Sequence, residues 1–311
     1  MIQRLERMPV PVLPTFVGAM TLANVYAGLG YPVIRHLTMF AATVIWLLYG
    51  VKILCYPKTC QKEYQTVVPC SLYAAFCMVL MILGSYYSEM LPGAGKAIWG
   101  AGVILHLAHI LVFTYRNVIR QRDVSTFVPS WFVTYNGIMV SCVVGSGMGV
   151  NHLLKYIVYY GIIIYIILIP LMIWRLCRVE VKDGVYHTMA VVLAPCSLCL
   201  VSYLNVIQTP DRNMVYFLYF CVLASLAFVI VKLPAFFSYS FSPGFAGMTF
   251  PMAIGIVASN KMSGYLQNTV GNESLAAAVT GLAGIQIYLT SMIVGYVLLN
   301  LVIMALGRKR R

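Results

Sequence analysis

The chain has 311 residues, 61% of them hydrophobic and only 9% charged, with a mean hydropathy of +0.87 and a formal net charge of +13. A soluble surface requires more charge than this, so the composition excludes a soluble globular protein and indicates an integral membrane protein. A bilayer core about 30 Å thick takes roughly 20 apolar residues per helix, which allows about ten such helices in a single domain and no sizeable soluble one.

Strongly apolar runs are predicted at 10–29, 35–54, 69–88, 93–115, 130–149, 153–174, 186–206, 213–236, 244–262 and 276–306. Most exceed 18 residues with few charges, which is too long for buried helices or strands of a soluble fold. The first run has no Ala-x-Ala-like site and continues the pattern of the later ones, so it is expected to be a span and not a cleaved signal. Basic residues alternate with the runs. With both termini in the cytoplasm, Arg4, Arg7, Lys52, Lys58, Lys62, Arg116, Arg120, Arg122, Arg175, Arg178, Lys182, Lys232, Arg308, Lys309, Arg310 and Arg311 fall inside. Only Arg35, Lys96, Lys155, Arg212 and Lys261 fall outside. This positive-inside bias predicts an even number of spans in the cytoplasmic membrane. The terminal 308–311 run is expected to anchor topology near anionic lipid, and no nucleic-acid partner is expected.

The odd-numbered runs (10–29, 69–88, 130–149, 186–206, 244–262) carry Pro14, Pro69, Pro129, Pro195 and Pro251, spaced 55, 60, 66 and 56 residues apart. That period fits two membrane helices plus two short loops, so the fold class is expected to be all-α, with ten transmembrane helices as five tandem hairpins. A proline inside a helix costs about 3 kcal/mol or more. The five are therefore expected to mark kinks that share a purpose, since irregular backbone is tolerated at membrane depth only against protein or a water-filled cavity. Small or weakly polar residues adjoin each proline, whereas the even runs are rich in Ile, Leu, Val and Tyr and suit lipid contact. Two readings follow: the odd helices line a central pore, or their small residues allow tight packing.

All eight acidic residues (Glu6, Glu63, Glu89, Asp123, Glu180, Asp183, Asp211, Glu273) fall in loops or at run ends. None is placed to bind sodium or relay a proton at mid-membrane, as ion-coupled carriers usually require. Mid-membrane Lys and Arg are absent too. A permeating anion is then expected to meet only weak dipoles and hydroxyls, among them Thr15, Ser71, Ser130, Thr134, Ser197 and Thr249, and weak sites release ions quickly. Cys196 and Cys199 lack a second thiol pair and are expected to pack as small hydrophobes. His106 and His109 share one face of an even helix, where hydrogen bonding to a neighbouring helix is expected rather than metal binding. No metal, cofactor, phosphate loop or catalytic constellation is expected, and no enzymatic activity. Asn272-Glu273-Ser274 is a formal glycosylation sequon.

The stretch Gly247-Met248-Thr249-Phe250-Pro251-Met252 places a ring beside a proline, with a glycine four residues before the proline. Proline disfavours α geometry at the preceding residue, so Phe250 is able to project from a distorted turn and close a narrow pore; on position alone, a core aromatic packed between helices is the commoner fate of such a residue. With Leu193-Ala194-Pro195 and Pro129-Ser130, the Thr-Phe-Pro-Met stretch resembles the tellurite-resistance/dicarboxylate transporter family, which includes the slow anion channels of plant guard cells. The resemblance spans nearly the whole chain. It implies five hairpins around a pore lined by the odd helices, a homotrimer with one pore per subunit, and an occluding phenylalanine on helix nine, which is Phe250 here. It also matches Gly18 to a pore-facing glycine, with Phe16 beside it on the lining helix. The long phosphorylatable tails of the plant channels have no counterpart here, so kinase gating is not expected. The expected function is a channel for small monovalent anions such as chloride or nitrate. A carrier for a C4-dicarboxylate such as malate, or for an oxyanion such as tellurite, is the alternative, and a ligand-sensing receptor is disfavoured.

Overall fold

The computed structural model describes residues 5–121, 123–181 and 183–307. Arg4, Arg122, Lys182 and the 308–311 run, which carry part of the charge argument, lie outside the described residues. Among the described residues every regular element is helical. The helices are α1 Val12–Gly28, α2 Pro32–Cys55, α3 Pro57–Gln65, α4 Val67–Leu72, α5 Ala74–Ser88, α6 Pro92–Phe113, α7 Trp131–Tyr135 and α8 Val140–Val143. They continue with α9 Asn151–Arg178, α10 Leu193–Val206, α11 Arg212–Phe237, α12 Thr249–Tyr265 and α13 Glu273–Ala305. Among the described residues seven helical stretches are long and apolar enough to cross a membrane. The chain is a multi-pass membrane protein.

The elements form two layers. In the inner layer α1 packs on α5, α4 and α5 on α7 and α8, α8 on α10, α10 on α12, and α12 returns to α1, which closes the circuit. Each outer helix then wedges between two inner neighbours: α2 between α1 and α5, α6 between α5 and α7, α9 between α8 and α10, α11 between α10 and α12, and α13 between α12 and α1. Burial separates the layers as well. In the most apolar windows of 67–88 and 186–206, 83% of residues are buried, against 22% to 33% in the five outer helices. The outer faces show large apolar side chains such as Leu37, Phe40, Leu54, Ile104, Leu111, Phe220 and Met292, a surface that only lipid or another apolar face can cover.

The prolines sit where they remove least. Pro14, Pro69, Pro195 and Pro251 are each the third residue of their helix, and Pro129 lies two residues ahead of α7. The first-turn N–H groups of a helix have no intrahelical partner, so a proline there sacrifices no hydrogen bond. The expectation of kinks within continuous helices is corrected accordingly: the prolines open α-helices. Two of those openings follow a different helix type, because 3₁₀ segments at Asp183–Val192 and Pro243–Met248 run directly into α10 and α12. Pro251 has no N–H for the Gly247 carbonyl and Pro195 none for that of Val191, so the upstream turns close on i to i+3 bonds.

The predicted continuous helix 130–149 is also corrected. It is broken into α7, a 3₁₀ turn at Gly137–Met139 and α8. At the break, the Asn136 amide leaves its own segment and donates to the Gly161 carbonyl of α9 (2.9 Å), while the Ser141 hydroxyl donates back to Ile138 (2.7 Å). Side-chain bonds of this kind compete with the helical ladder. Elsewhere the termini are orthodox. Gly30 turns α1 into α2 at φ +92°, a left-handed conformation suited to glycine, and Asn272 of the sequon accepts from Leu275 N (3.0 Å) as the N-cap of α13.

The α5–α6 pair depends on missing side chains. A Cβ at Gly84 would collide with the Trp99 backbone, and one at Gly95 with the Ser88 backbone, so both helices approach through glycine. Gly84→Leu is expected to destabilise the protein by about 1–3 kcal/mol or more, because the obstruction is backbone and not a flexible side chain. Gly100→Ala, whose added Cβ meets nothing within 4 Å, is the neutral control. Thermal melting of both variants in detergent checks this, and equal melting temperatures would refute the close approach.

Candidate functional site

The inner layer encloses three spaces in a row. A proximal vestibule of about 730 Å³ lies where the inner segments begin, lined by Pro11, Thr66 to Pro69, Ser125, Thr126, Val128, Thr188, Pro243, Gly244, Ala246 and Gly247 among others. A distal vestibule of about 420 Å³ lies where they end, lined by Thr21, Asn24, Val25, Ile82, Val140, Val143, Val144, Ile254, Val257, Asn260 and Lys261. Between them is a neck of only about 20 Å³, lined by Pro14, Val17, Leu72, Met78, Phe132, Val133, Gly137, Ala194, Leu198 and Pro251. A cavity of this kind needs about 10–15 Å³ for a single water, so the neck has room for about one water and none for a hydrated ion.

Phe250 lines both the neck and the distal vestibule, and it is 6% exposed. It stands at the top of a stripe down α12, Phe250, Ile254, Val257 and Lys261, at the spacing that keeps one helical face toward the cavity. Facing it, α1 presents Pro14 and Val17 to the neck and then Thr21, Asn24 and Gly28 to the distal vestibule. Gly18, between them on α1, is not among the lining residues of these spaces. A Cβ there would lie 2.7 Å from Phe250 N and from Thr249 C, so Gly18 is the point at which α1 meets the backbone that carries Phe250. Thr249 ties the same junction by donating to the carbonyls of Ala246 (2.8 Å) and Pro14 (3.3 Å).

The hydroxyls expected along the lining are placed elsewhere. Thr15, Ser71, Ser130, Thr134, Ser197 and Thr249 are fully buried, and none is among the lining residues of the three spaces. Four of them donate to carbonyls three or four residues earlier: Thr15 to Pro11 (2.9 Å), Ser71 to Val68 (2.8 Å), Ser197 to Leu193 (2.7 Å) and Thr249 to Ala246. Phe16 is partly buried and packs against the core cluster. Of the prolines, Pro14 and Pro251 reach the neck and Pro69 the proximal vestibule, whereas Pro129 and Pro195 are buried in the packing between segments. The lining that the structure presents is mainly apolar: Val17, Leu72, Met78, Phe132, Val133 and Leu198 were not singled out as polar candidates could be. Their signal in the sequence is the three-and-four spacing that runs from Pro14 and Phe250 along each inner helix.

Behind the neck, α6 braces the broken segment. His106 Nε2 lies 2.8 Å from the Thr134 carbonyl, and His109 lies 2.8 Å from the Tyr64 hydroxyl and 3.3 Å from Thr134 Oγ1. Gly137 makes room for this, since a Cβ there would lie 2.9 Å from His106 Cε1. Cys196 and Cys199 direct their thiols to the Leu193 and Gly161 carbonyls (3.3 and 3.6 Å). Among the described residues no group of three or more His, Cys, Asp or Glu is arranged to hold a metal ion.

Charge on the lining is sparse: Lys261 in the distal vestibule, Arg175 and Glu180 in the proximal one. A sequence profile of the family described as SLAC1, voltage-dependent anion channel, matches residues 11–305. The chain belongs to this family. The match takes in every helix from α1 to α13, and it is the family that the Thr-Phe-Pro-Met stretch resembles. A search among curated proteins gives no match. Family membership assigns the protein to anion transport, and the three spaces enclosed by its inner layer are where a path for the anion is to be sought.

The distal rim of this SLAC1 family member carries a charge relay to the vestibule wall. Glu89 receives a bidentate pair from Arg35 (2.8 Å for Nη1), and Arg35 Nε donates to Asn24 Oδ1 (2.9 Å), which fixes a lining amide. The hydrogen bond from Arg35 holds the Glu89 carboxyl below its ordinary range. The folded state therefore binds this proton more weakly than the unfolded chain. The stabilisation is complete above the free carboxyl pKa of about 4.3 and is lost as pH falls through the lowered value. Arg35→Gln is expected to flatten the acid limb of the melting temperature against pH below about pH 4, while an unchanged limb would show that the pair contributes nothing there.

Proposed function

We propose that the protein is a channel for small monovalent anions, such as chloride or nitrate, and that Phe250 is its gate. The observation that carries this reading is the position of one side chain: Phe250 lines both the distal vestibule and the neck of about 20 Å³ beside it. An apolar constriction stops ions without any charge, because water leaves it and a bare ion has no replacement for its hydration shell. Thr249, Pro251 and the Gly18 contact hold the ring in place from its backbone side. In this reading the inner segments and their outer partners make five tandem hairpins, ten spans in all, with both termini in the cytoplasm of a cell whose cytoplasmic membrane holds the protein. The proximal vestibule is then the cytoplasmic one.

Selectivity for anions is supported by what the lining carries. The distal vestibule has one charged residue, Lys261, and the neck has none. No acidic side chain lines the path from the neck outward, so nothing there repels an anion or concentrates cations. The neck offers no strong site, and an ion that enters an opened neck leaves it readily. A homotrimer with one path per subunit is part of the proposal; it rests on family membership and on the broad apolar faces of α2, α6, α9, α11 and α13.

Currents through purified protein in planar bilayers test the gate. Phe250→Ala joins the neck to the distal vestibule and is expected to raise anion current by about an order of magnitude or more over the native protein. Unchanged current, with the variant verified in the membrane, would overturn the assignment of Phe250. Uptake into vesicles that saturates and stops when a proton gradient is collapsed would favour the dicarboxylate or oxyanion carrier instead.

A further inference from the structure

Among the described residues Arg175 is the one cation on the wall of the proximal vestibule, and its environment is unusual for an arginine. It lies in the last turn of α9 and is 3% exposed, whereas Arg178, three residues on, is open to the surroundings. Lysines and arginines near the end of a membrane helix usually extend toward water, as Arg178 does. Arg175 turns inward. Buried guanidinium groups normally carry a carboxylate partner, because an uncompensated charge away from water is costly. Among the described residues the ion pairs are Arg35–Glu89 and Lys52–Glu63, and Arg175 has none, although Glu180 lines the same vestibule.

What Arg175 does have is two long contacts to backbone carbonyls, Nη1 to Val179 (3.4 Å) and Nη2 to Ser125 (3.3 Å). These fix the plane of the group against the end of α9 and the 124–126 turn. Its Nε–H has no acceptor although the atom is buried. A helix cap alone explains the two carbonyl contacts; it leaves the net charge and the Nε donor unexplained. A ligand that answers both must be an anion with an acceptor for Nε and a second for the neighbouring Nη. The guanidinium edge presents two parallel N–H bonds, which match two oxygens of a planar oxyanion and only one point of a spherical halide.

Building on the channel reading, we propose that Arg175 forms a binding site in the proximal vestibule for a planar oxyanion, nitrate or a small carboxylate, which it holds before the neck. The vestibule, at about 730 Å³, has room for such an anion with its water. Ser125 on the adjoining turn, and Gln121 ahead of it, offer further side-chain donors on the same lining. The site makes the protein prefer nitrate to chloride at one end of the path, without placing a charge in the neck where it would trap the ion.

The test uses the full chain in detergent, with nitrate and chloride titrated at constant ionic strength and thermal stability as the readout. Native protein is expected to gain more stability from nitrate than from chloride. Arg175→Lys keeps the charge and loses the fork, so nitrate should weaken by about tenfold and fall to the level of chloride. Arg175→Met should respond to neither. A nitrate preference that survives in Arg175→Lys, or is missing from the native protein, would overturn the site; Arg175→Lys decides the matter if Arg175→Met fails to fold. The same variants in the Phe250→Ala background separate this proposal from the channel reading. Nitrate-dependent stabilisation without current leaves the site standing and removes the channel, whereas current with an unaltered nitrate preference does the reverse.

Discussion

The contact between α1 and α12 at Gly18 is the constraint from which the rest follows. Inner segments that pack pairwise form a closed layer only if the last meets the first, and here they meet backbone to backbone, with Gly18 against Thr249 and Phe250. Any side chain at Gly18 would push α12 outward and carry the neck with it. The Thr249 hydroxyl, donating to the Pro14 carbonyl, secures the same junction with a polar bond in a place where water does not compete. Closure of the layer and the neck are therefore linked: the junction that completes the ring also sets Phe250 against the neck.

Backbone hydrogen bonding explains why the inner segments look irregular and the outer ones do not. In lipid each N–H and C=O needs a partner within the protein, which outer helices such as α2 and α13, with no proline in their interiors, provide along an unbroken ladder. The inner segments are shielded by those helices and change type along their length: 3₁₀ to α before Pro195 and Pro251, and α to 3₁₀ to α around Gly137. Proline in a first turn removes a donor that had no acceptor, and hydroxyls beside it return to carbonyls of the preceding turn. One consequence reaches function. Because those hydroxyls are engaged in holding the turns, the surface left for the neck is mainly Val, Leu, Met and Phe.

Much of this was legible before any coordinates. Alternation of proline-bearing runs with Ile- and Leu-rich runs corresponds to the inner and outer layers, since lipid exposure and helix packing select different side chains. Phe250 was legible as a ring beside a proline, and its neighbourhood in the structure is the neck. What was not legible depends on rotation and depth. Composition marks Thr15 or Ser197 as polar but is silent on whether the hydroxyl faces a cavity or its own helix, and the i−4 carbonyl is always nearer. Gly18 belongs to the α1–α12 contact, which a sequence separation of more than 230 residues conceals. The break in 130–149 turns on Asn136 finding the Gly161 carbonyl, a partner on another helix, and the prolines read as kinks because an apolar run does not announce where inside it the α-helix starts.

Charge on the described lining lies in the vestibules and not in the constriction: Lys261 at one end, Arg175 and Glu180 at the other, and an uncharged neck between. The central claim is that an anion path runs through the inner ring and is shut at Phe250. The reversal potential of current through the Phe250→Ala protein, under a tenfold chloride gradient with a bulky impermeant cation, tests it most directly. A value near the chloride equilibrium potential, about 59 mV in magnitude, is what the account predicts. A reversal that follows the cation, or that is indifferent to the chloride gradient, would contradict it.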